Sequence, residues 1–202
     1  MILYSLTKAV MRVFYGIFMP AKFVYGKENL NPNETVIYCA NHRHAYDPLL
    51  LAVHVDRQIH FMAKKELFEK PVMRWALKNV GAFPVDRSRA DVASIRTAVQ
   101  YLKNGEPIGI FPEGTRHRES FGMGQIHDGA AWLALKSGAP IVPVFIDSRG
   151  MFHKIRFYVG KKLPLTLDEG EALNAKSRDA AAQKLAEAMA RLEQMAENAQ
   201  KH

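Results

Sequence analysis

Twice in this chain an apolar run with strand character ends abruptly in a short polar one. Residues 35–40 (TVIYCA) lead into Asn41-His42-Arg43-His44-Ala45-Tyr46-Asp47, and residues 107–111 (PIGIF) lead into Pro112-Glu113-Gly114-Thr115-Arg116. Buried runs of this kind, separated by helical stretches, are the signature of a mostly parallel sheet. In such a sheet chemistry collects beyond the carboxyl ends of the strands. The two polar runs are therefore expected to open at one edge of one sheet.

The rest of the pattern agrees. Apolar runs at 22–25, 58–63, 82–85, 141–146 and 155–159 read as further strands. Helices are expected at 47–55, 71–79, 91–103, 129–137 and 177–200. The clearest is 91–103, where Val92, Ile95, Val99 and Leu102 make an apolar stripe that Asn104-Gly105 ends. The fold class predicted is α/β, a mixed, mostly parallel sheet flanked by helices. With 202 residues and no linker or repeat, the chain suits one such domain, residues 21–202.

Residues 1–20 stand apart. They are strongly apolar, but Lys8 and Arg12 interrupt them, which does not suit a membrane span. As a helix they place Ser5, Lys8 and Arg12 on one stripe, with Leu6, Val10, Phe14, Ile17 and Phe18 on the broad remainder. That is the pattern of an amphipathic membrane-interface helix with basic groups toward the headgroups. It is equally the pattern of a helix packed on the protein's own core. Pro20 ends it.

The formal net charge is +8, which suits nucleic acid, an anionic membrane or a phosphorylated substrate. From residue 168 onward acids outnumber Lys and Arg seven to five, so the basic excess lies wholly before it. No helix-turn-helix, finger or RNP-like signature accompanies that excess, and no nucleic acid partner is expected. The single cysteine, Cys39, lies in an apolar run and reads as inert packing.

His42 with Asp47 five residues on is the minimum kit for removing a proton from a hydroxyl, with imidazole as base and carboxylate as its partner. Asp47 before Pro48 equally reads as a helix N-cap. His44 has the same chemistry as His42, and only the spacing to Asp47 separates them. These side chains lack the further ligand cluster that a metal site needs, so no metal is expected. Glu113 and Gly114 form a turn beside Arg116, whose guanidinium can grip a phosphate by two bonds. A surface Glu–Arg pair is the plainer reading. Arg87 follows the 82–85 strand and offers a second such group or a surface salt bridge. Pro143, inside an apolar strand, marks an edge or a bulge.

Together and in this order, Asn41–Asp47, Gly81–Arg87, Phe111–Arg116 and Val142–Val144 resemble the glycerolipid acyltransferase family. The likeness extends through residues 24–30 and 129–145. It implies transfer of a fatty acyl group from acyl-CoA or an acyl-carrier protein to the free hydroxyl of lysophosphatidic acid. Glycerol 3-phosphate or another lysolipid is the alternative acceptor, and a non-catalytic lipid-interface protein the alternative class. By motif position His42 would be the base and Asp47 its orienting partner. Arg87 and Arg116 would hold the phosphate, with Glu113 and Gly114 shaping that pocket and Pro143 near the acyl or acceptor site. No cofactor is implied beyond the acyl-donor substrate. The implied location is the cytoplasmic face of a membrane, bound peripherally or monotopically.

Overall fold

The computed structural model describes residues 2–86, 91–116, 123–148, 154–167, 170 and 172–201. Its seven strands are β1 (Ala21–Tyr25), β2 (Ile37–Ala40), β3 (His60–Lys64), β4 (Phe83–Val85), β5 (Ile108–Ile110), β6 (Ile141–Asp147) and β7 (Ile155–Val159). They form one sheet in the order β1-β7-β6-β2-β5-β3-β4. The five strands from β6 to β4 run parallel, β7 is antiparallel to β6, and β1 is parallel to β7. The fold is thus the mixed, mostly parallel α/β sheet that the alternation predicts.

Among the described residues six α-helices surround it: α1 (Ile2–Phe18), α2 (Asp47–His54), α3 (Pro71–Asn79), α4 (Val92–Lys103), α5 (Gly129–Ser137) and α6 (Ala175–Asn198). The predicted strands β2, β4 and β5 shorten by one or two residues, β1 and β6 lengthen by one, β3 shifts to His60–Lys64, and β7, α3 and α5 keep the predicted bounds. Helix α6 starts earlier than expected because Asn174, not Ser177, is its cap. Asn174 accepts from the Ser177 amide while the Ser177 hydroxyl accepts from the Asn174 amide.

Strand alternation divides the core. Val36, Tyr38 and Ala40 lie in one buried cluster with Tyr15 from α1, Met19 just past its end, and Leu50, Leu51 and Val53 from α2. Ile37 and Cys39 lie in the other, with Ala98 and Leu102 of α4, Ala130, Leu133 and Ala134 of α5, and Leu185 and Met189 of α6. A strand buried on both faces needs no polar alternation, which is why β2 reads as a continuous apolar run. Cys39 is fully buried, and burial pushes its thiol up, away from the reactive thiolate.

Helix α1 uses both of its sides. Tyr15 enters the core, as does Met19 just past the helix end, and Met11 packs against it. The opposite stripe of Leu6, Val10, Val13 and Ile17 is exposed, each by about 60% or more. The basic stripe does not lie as expected. The Lys8 ammonium turns inward to donate to the carbonyls of Val55 and Asp56, just past the end of α2. A cation at a helix C-terminus satisfies carbonyls that have no partner within the helix.

Candidate active site

The site begins where β2 leaves the sheet. Asn41 is buried, its side-chain oxygen accepting from the Ile146 amide at 2.7 Å and its amide donating to the Ile146 carbonyl at 3.1 Å. One side chain thus replaces the next backbone pairing with β6, and the chain is released into the turn that carries His42. Such a paired amide adds about 1 kcal/mol per bond, and unpaired it would cost more.

In that turn Asp47 Oδ2 is the hub. It accepts from the backbone amides of Arg43 and His44, both at 2.7 Å, and lies 3.2 Å from His42 Nδ1. Asp47 is 1% exposed, so the three contacts offset a desolvation that would otherwise be costly. An ionised carboxylate only accepts; Nδ1 therefore carries the proton and Nε2 keeps its lone pair. The helix-cap reading of Asp47 does not hold. Tyr46 is the N-cap of α2 and makes no side-chain cap bond, and Asp47 is the first helical residue. Its carboxylate reaches back to the turn, where it serves the Arg43 and His44 amides instead of the helix. Helix α1 backs this arrangement through Tyr15. Burial, helped by nearby Tyr46 and Asp47, pushes that phenol up to about 12.

The second polar run opens beside the first, since β5 pairs directly with β2. Phe111 leaves β5 and stacks on the His42 ring, with centroids 4.2 Å apart and 25° between planes. Glu113 then ties the two turns together. Its Oε1 accepts from the His42 amide at 3.0 Å and its Oε2 from the Gly124 amide at 3.1 Å. At 2% exposure it is buried, so it does not lie at the surface as the plainer reading had it. Gly114 takes φ +69°, a left-handed value that suits glycine, and its amide donates to the Phe111 carbonyl at 3.0 Å. Arg116 is exposed at the end of this turn.

His44 faces elsewhere, stacked on Tyr46 at 4.8 Å with its Nε2 3.3 Å from the Ser148 carbonyl. Spacing to Asp47 therefore picked the histidine that the carboxylate engages. Pro143 sits inside the sheet opposite Cys39, where its carbonyl accepts from the Gly160 amide. The β6–β7 ladder pairs Val144 with Val159 yet Ile141 with Leu163, so one extra residue lies opposite Pro143. That bulge is the feature the proline was read to mark, and it lies within the sheet rather than at the edge. Arg87 lies outside the described residues. The flanking Asp86 amide donates to Asp91 Oδ2 at 2.8 Å, which joins the two ends of that segment.

Sequence reasoning assigned no role to Asn41 or Phe111. Asn41 had a signal, a polar residue at the end of a fully apolar strand. Phe111 had none, because an aromatic at a strand end is ordinary packing. A cavity of about 550 Å³ between α1, β1 and α2, lined in part by Arg12, Lys27 and His54, holds none of the predicted site residues.

The family model described as "Acyltransferase" matches residues 22–147. The chain is 41% identical over 121 residues to the 1-acyl-sn-glycerol-3-phosphate acyltransferase of Bacillus subtilis (strain 168), covering 59% of each. It is 28% identical over 170 residues to the protein of the same name from Streptococcus pneumoniae, covering 81% of this chain and 62% of that one. The chain thus spans less than two thirds of these relatives' length. The crystal structure of the 1-acyl-sn-glycerophosphate (LPA) acyltransferase PlsC from Thermotoga maritima shares the fold. Its TM-score is 0.68 at 23% identity, over 96% of this chain and 78% of that one. The matched stretch holds the His42–Asp47 pair, the Phe111 platform, the Glu113 tie and the Arg116 turn, and this chain belongs to the acyltransferase family.

Proposed function

We propose that this protein transfers a fatty acyl group from an acyl thioester, acyl-CoA or acyl-carrier protein, to the free hydroxyl of lysophosphatidic acid, giving phosphatidic acid. The observation that carries the reading is the His42–Asp47 pair, set by Nδ1 at 3.2 Å from the carboxylate beside an arginine-bearing turn. The relatives' names supply the acceptor. Nε2 of His42 takes the proton of the acceptor hydroxyl as its oxygen attacks the thioester carbonyl. The C–S bond then breaks, the thiolate leaves, and the proton on His42 passes to it, so that an ester and a free thiol result. Asp47 stabilises the imidazolium formed between these steps, and Phe111 holds the ring in place.

Arg116 and Arg87 would grip the acceptor's phosphate. Glu113 would act on that pocket by fixing the turn, since each of its oxygens accepts from a backbone amide. Gly114 allows the turn itself, and Pro143 acts at most through the bulge that shapes β6. Among the described residues no helix is long and apolar enough to cross a membrane. Residues 1–20 would instead lay the exposed Leu6–Val10–Val13–Ile17 stripe into one leaflet, on the cytoplasmic side where acyl donors of these kinds are made.

Thiol release from acyl-CoA and from acyl-carrier protein, with and without lysophosphatidic acid, tests the reading in wild type and His42→Ala. The expected result is acceptor-dependent release that falls roughly 100- to 10,000-fold in the variant. Full activity in His42→Ala, or silence with both donors across a panel including glycerol 3-phosphate, overturns it. Preference for an uncharged acceptor removes Arg116 from the phosphate site.

A further inference from the structure

Beyond β3 the chain makes a 3-10 turn (Lys65–Phe68) and then α3, and this segment is unlike the other helices packed on the sheet. No residue of α3 is buried. Val72 is 81% exposed, Trp75 63%, and Met73 and Leu67 each 42%. Ala76 and Leu77 are partly covered. By helical spacing the outward ridge is therefore Trp75, with Val72 on one flank and Arg74 and Lys78 on the other. A helix whose apolar side chains are so little covered by its own fold is poorly supported in water.

The charge of the segment shows what would cover it. Residues 64–79 contain Lys64, Lys65, Lys70, Arg74 and Lys78 against Glu66 and Glu69. Lys65 pairs with Asp86 at 2.7 Å, Lys64 lies 3.6 Å from Glu66, and Arg74 Nε donates to the Phe68 carbonyl at 2.6 Å, yet all five basic residues remain exposed around the apolar ridge. Apolar side chains interleaved with long basic ones suit an anionic lipid surface, where the ring of a tryptophan sits at headgroup level and lysine stems reach past it.

Position supports the same partner. Strands β2, β5 and β3 are neighbours running parallel. With about 4.8 Å between adjacent strands, the end of β3 lies roughly 10 Å from the end of β2 that carries His42. Helix α3 starts at this edge and returns to the start of β3, where the Gly81 carbonyl lies 2.9 Å from His60 Nδ1, so a surface bound along α3 would reach to the edge where the acceptor hydroxyl must arrive.

We infer that the Leu67–Lys78 segment is a second membrane-docking element, separate from α1, that takes anionic lipid and sets the reactive edge at the headgroup layer. It rests on the interfacial reading of the function given above. The test is vesicle co-sedimentation of the full chain, with phosphatidylcholine alone or mixed with phosphatidylglycerol. Wild type is compared with Val72→Glu/Trp75→Glu and, as a reference, with Val10→Glu/Val13→Glu in α1.

The mixed vesicles should bind wild type best, and the α3 double variant should bind them about ten-fold or more weakly. It should still turn over a water-soluble short-chain acceptor at the wild-type rate, which shows that it is folded. Trp75 emission, read in a Trp132→Phe background, should shift to the blue on mixed vesicles. Equal binding by the α3 variant and wild type, or an unshifted Trp75, overturns the inference and leaves the acyltransferase reading standing. Loss of turnover with acyl-carrier protein alone, vesicle binding being intact, assigns the patch to an acidic protein and also overturns it. Failure of wild type to bind either vesicle defeats both docking elements, while short-chain turnover reports separately on the chemistry.

Discussion

The turns after β2 and β5 leave neighbouring strands at one edge of one sheet, yet they are built differently. The first is closed on itself. Asp47 Oδ2 gathers two amides and an imidazole, Asn41 clamps the strand end, and Phe111 and Glu113 hold His42 from the next strand. The second closes as far as Gly114 and then opens, leaving Arg116 exposed. A proton acceptor must be positioned to a fraction of an ångström before substrate arrives, so its surroundings are fixed by bonds within the protein. A phosphate grip loses nothing by waiting for its ligand, since a guanidinium is charged whether or not it is bound. On the proposed roles, the fold spends its buried polar contacts on the base and leaves acceptor binding to the surface.

The largest effect expected from breaking that contrast is in Asp47→Asn. One oxygen now takes all three contacts. An asparagine oxygen could keep the Arg43 and His44 amides, but its neutral dipole would stabilise the imidazolium poorly. Its NH₂ group would also occupy the place of Oδ1, which is buried without a partner among the described residues. The turnover number should fall roughly 100- to 10,000-fold with KM nearly unchanged. Steady-state kinetics at saturating acceptor decide this, and a loss confined to KM would make Asp47 a binding residue.

Glu113→Gln tests the tie between the turns. The two oxygens accept from amides on different segments, and glutamine can serve only one of them. The other amide would meet an NH₂ group, at a cost of about 1–3 kcal/mol. Thermal or urea unfolding should show that loss of stability, accompanied by a smaller fall in turnover as His42 loosens. Unchanged stability would mean that the two turns hold their places without the carboxylate.

That tie also marks the limit of what the sequence discloses. Element positions were legible because each is a local pattern, so α3 and α5 appear with the bounds that their prolines, glycines and apolar spacing predict. The His42–Asp47 pair was legible for the same reason, being confined to one turn. Contacts closed across the fold were not. Nothing in the spacing says that Glu113 reaches back to His42 and forward to Gly124, that β7 runs against β6, or that Lys8 caps α2. The Asp-Pro pair even pointed the wrong way about Asp47. Local propensity favours a cap there, and the turn amides with the half-buried His42 ring supplied a better use for the carboxylate.

On the open side of the comparison, Arg116→Ala should raise KM for a phosphorylated acceptor roughly ten-fold and leave the turnover number nearly as it was. Stability should not change, because the residue is exposed. A turnover loss as large as that of Asp47→Asn would show that the phosphate grip also aligns the hydroxyl, and that the two turns are less independent than their construction suggests.

The smallest effect concerns the other arginine-bearing segment. Asp91 caps α4 by accepting from the Ser94 amide at 3.0 Å, and it also receives the Asp86 amide at 2.8 Å. These bonds lower its carboxyl to about 2, with the Asp86 amide the leading cause. A carboxyl lowered in the folded state adds stability above its unfolded value, near 3.8, and that stability is lost as pH falls toward 2. Asp91→Ala should therefore cost about 1 kcal/mol at neutral pH, the usual worth of a helix N-cap. The difference from wild type should shrink in urea titrations run from pH 5 down through pH 3. A difference that stays constant over that range would assign the effect to backbone conformation at position 91. In that case closing the 86–91 segment would not depend on the carboxylate charge, and the segment would resemble the internally fixed turn after β2 less than its hydrogen bonds imply.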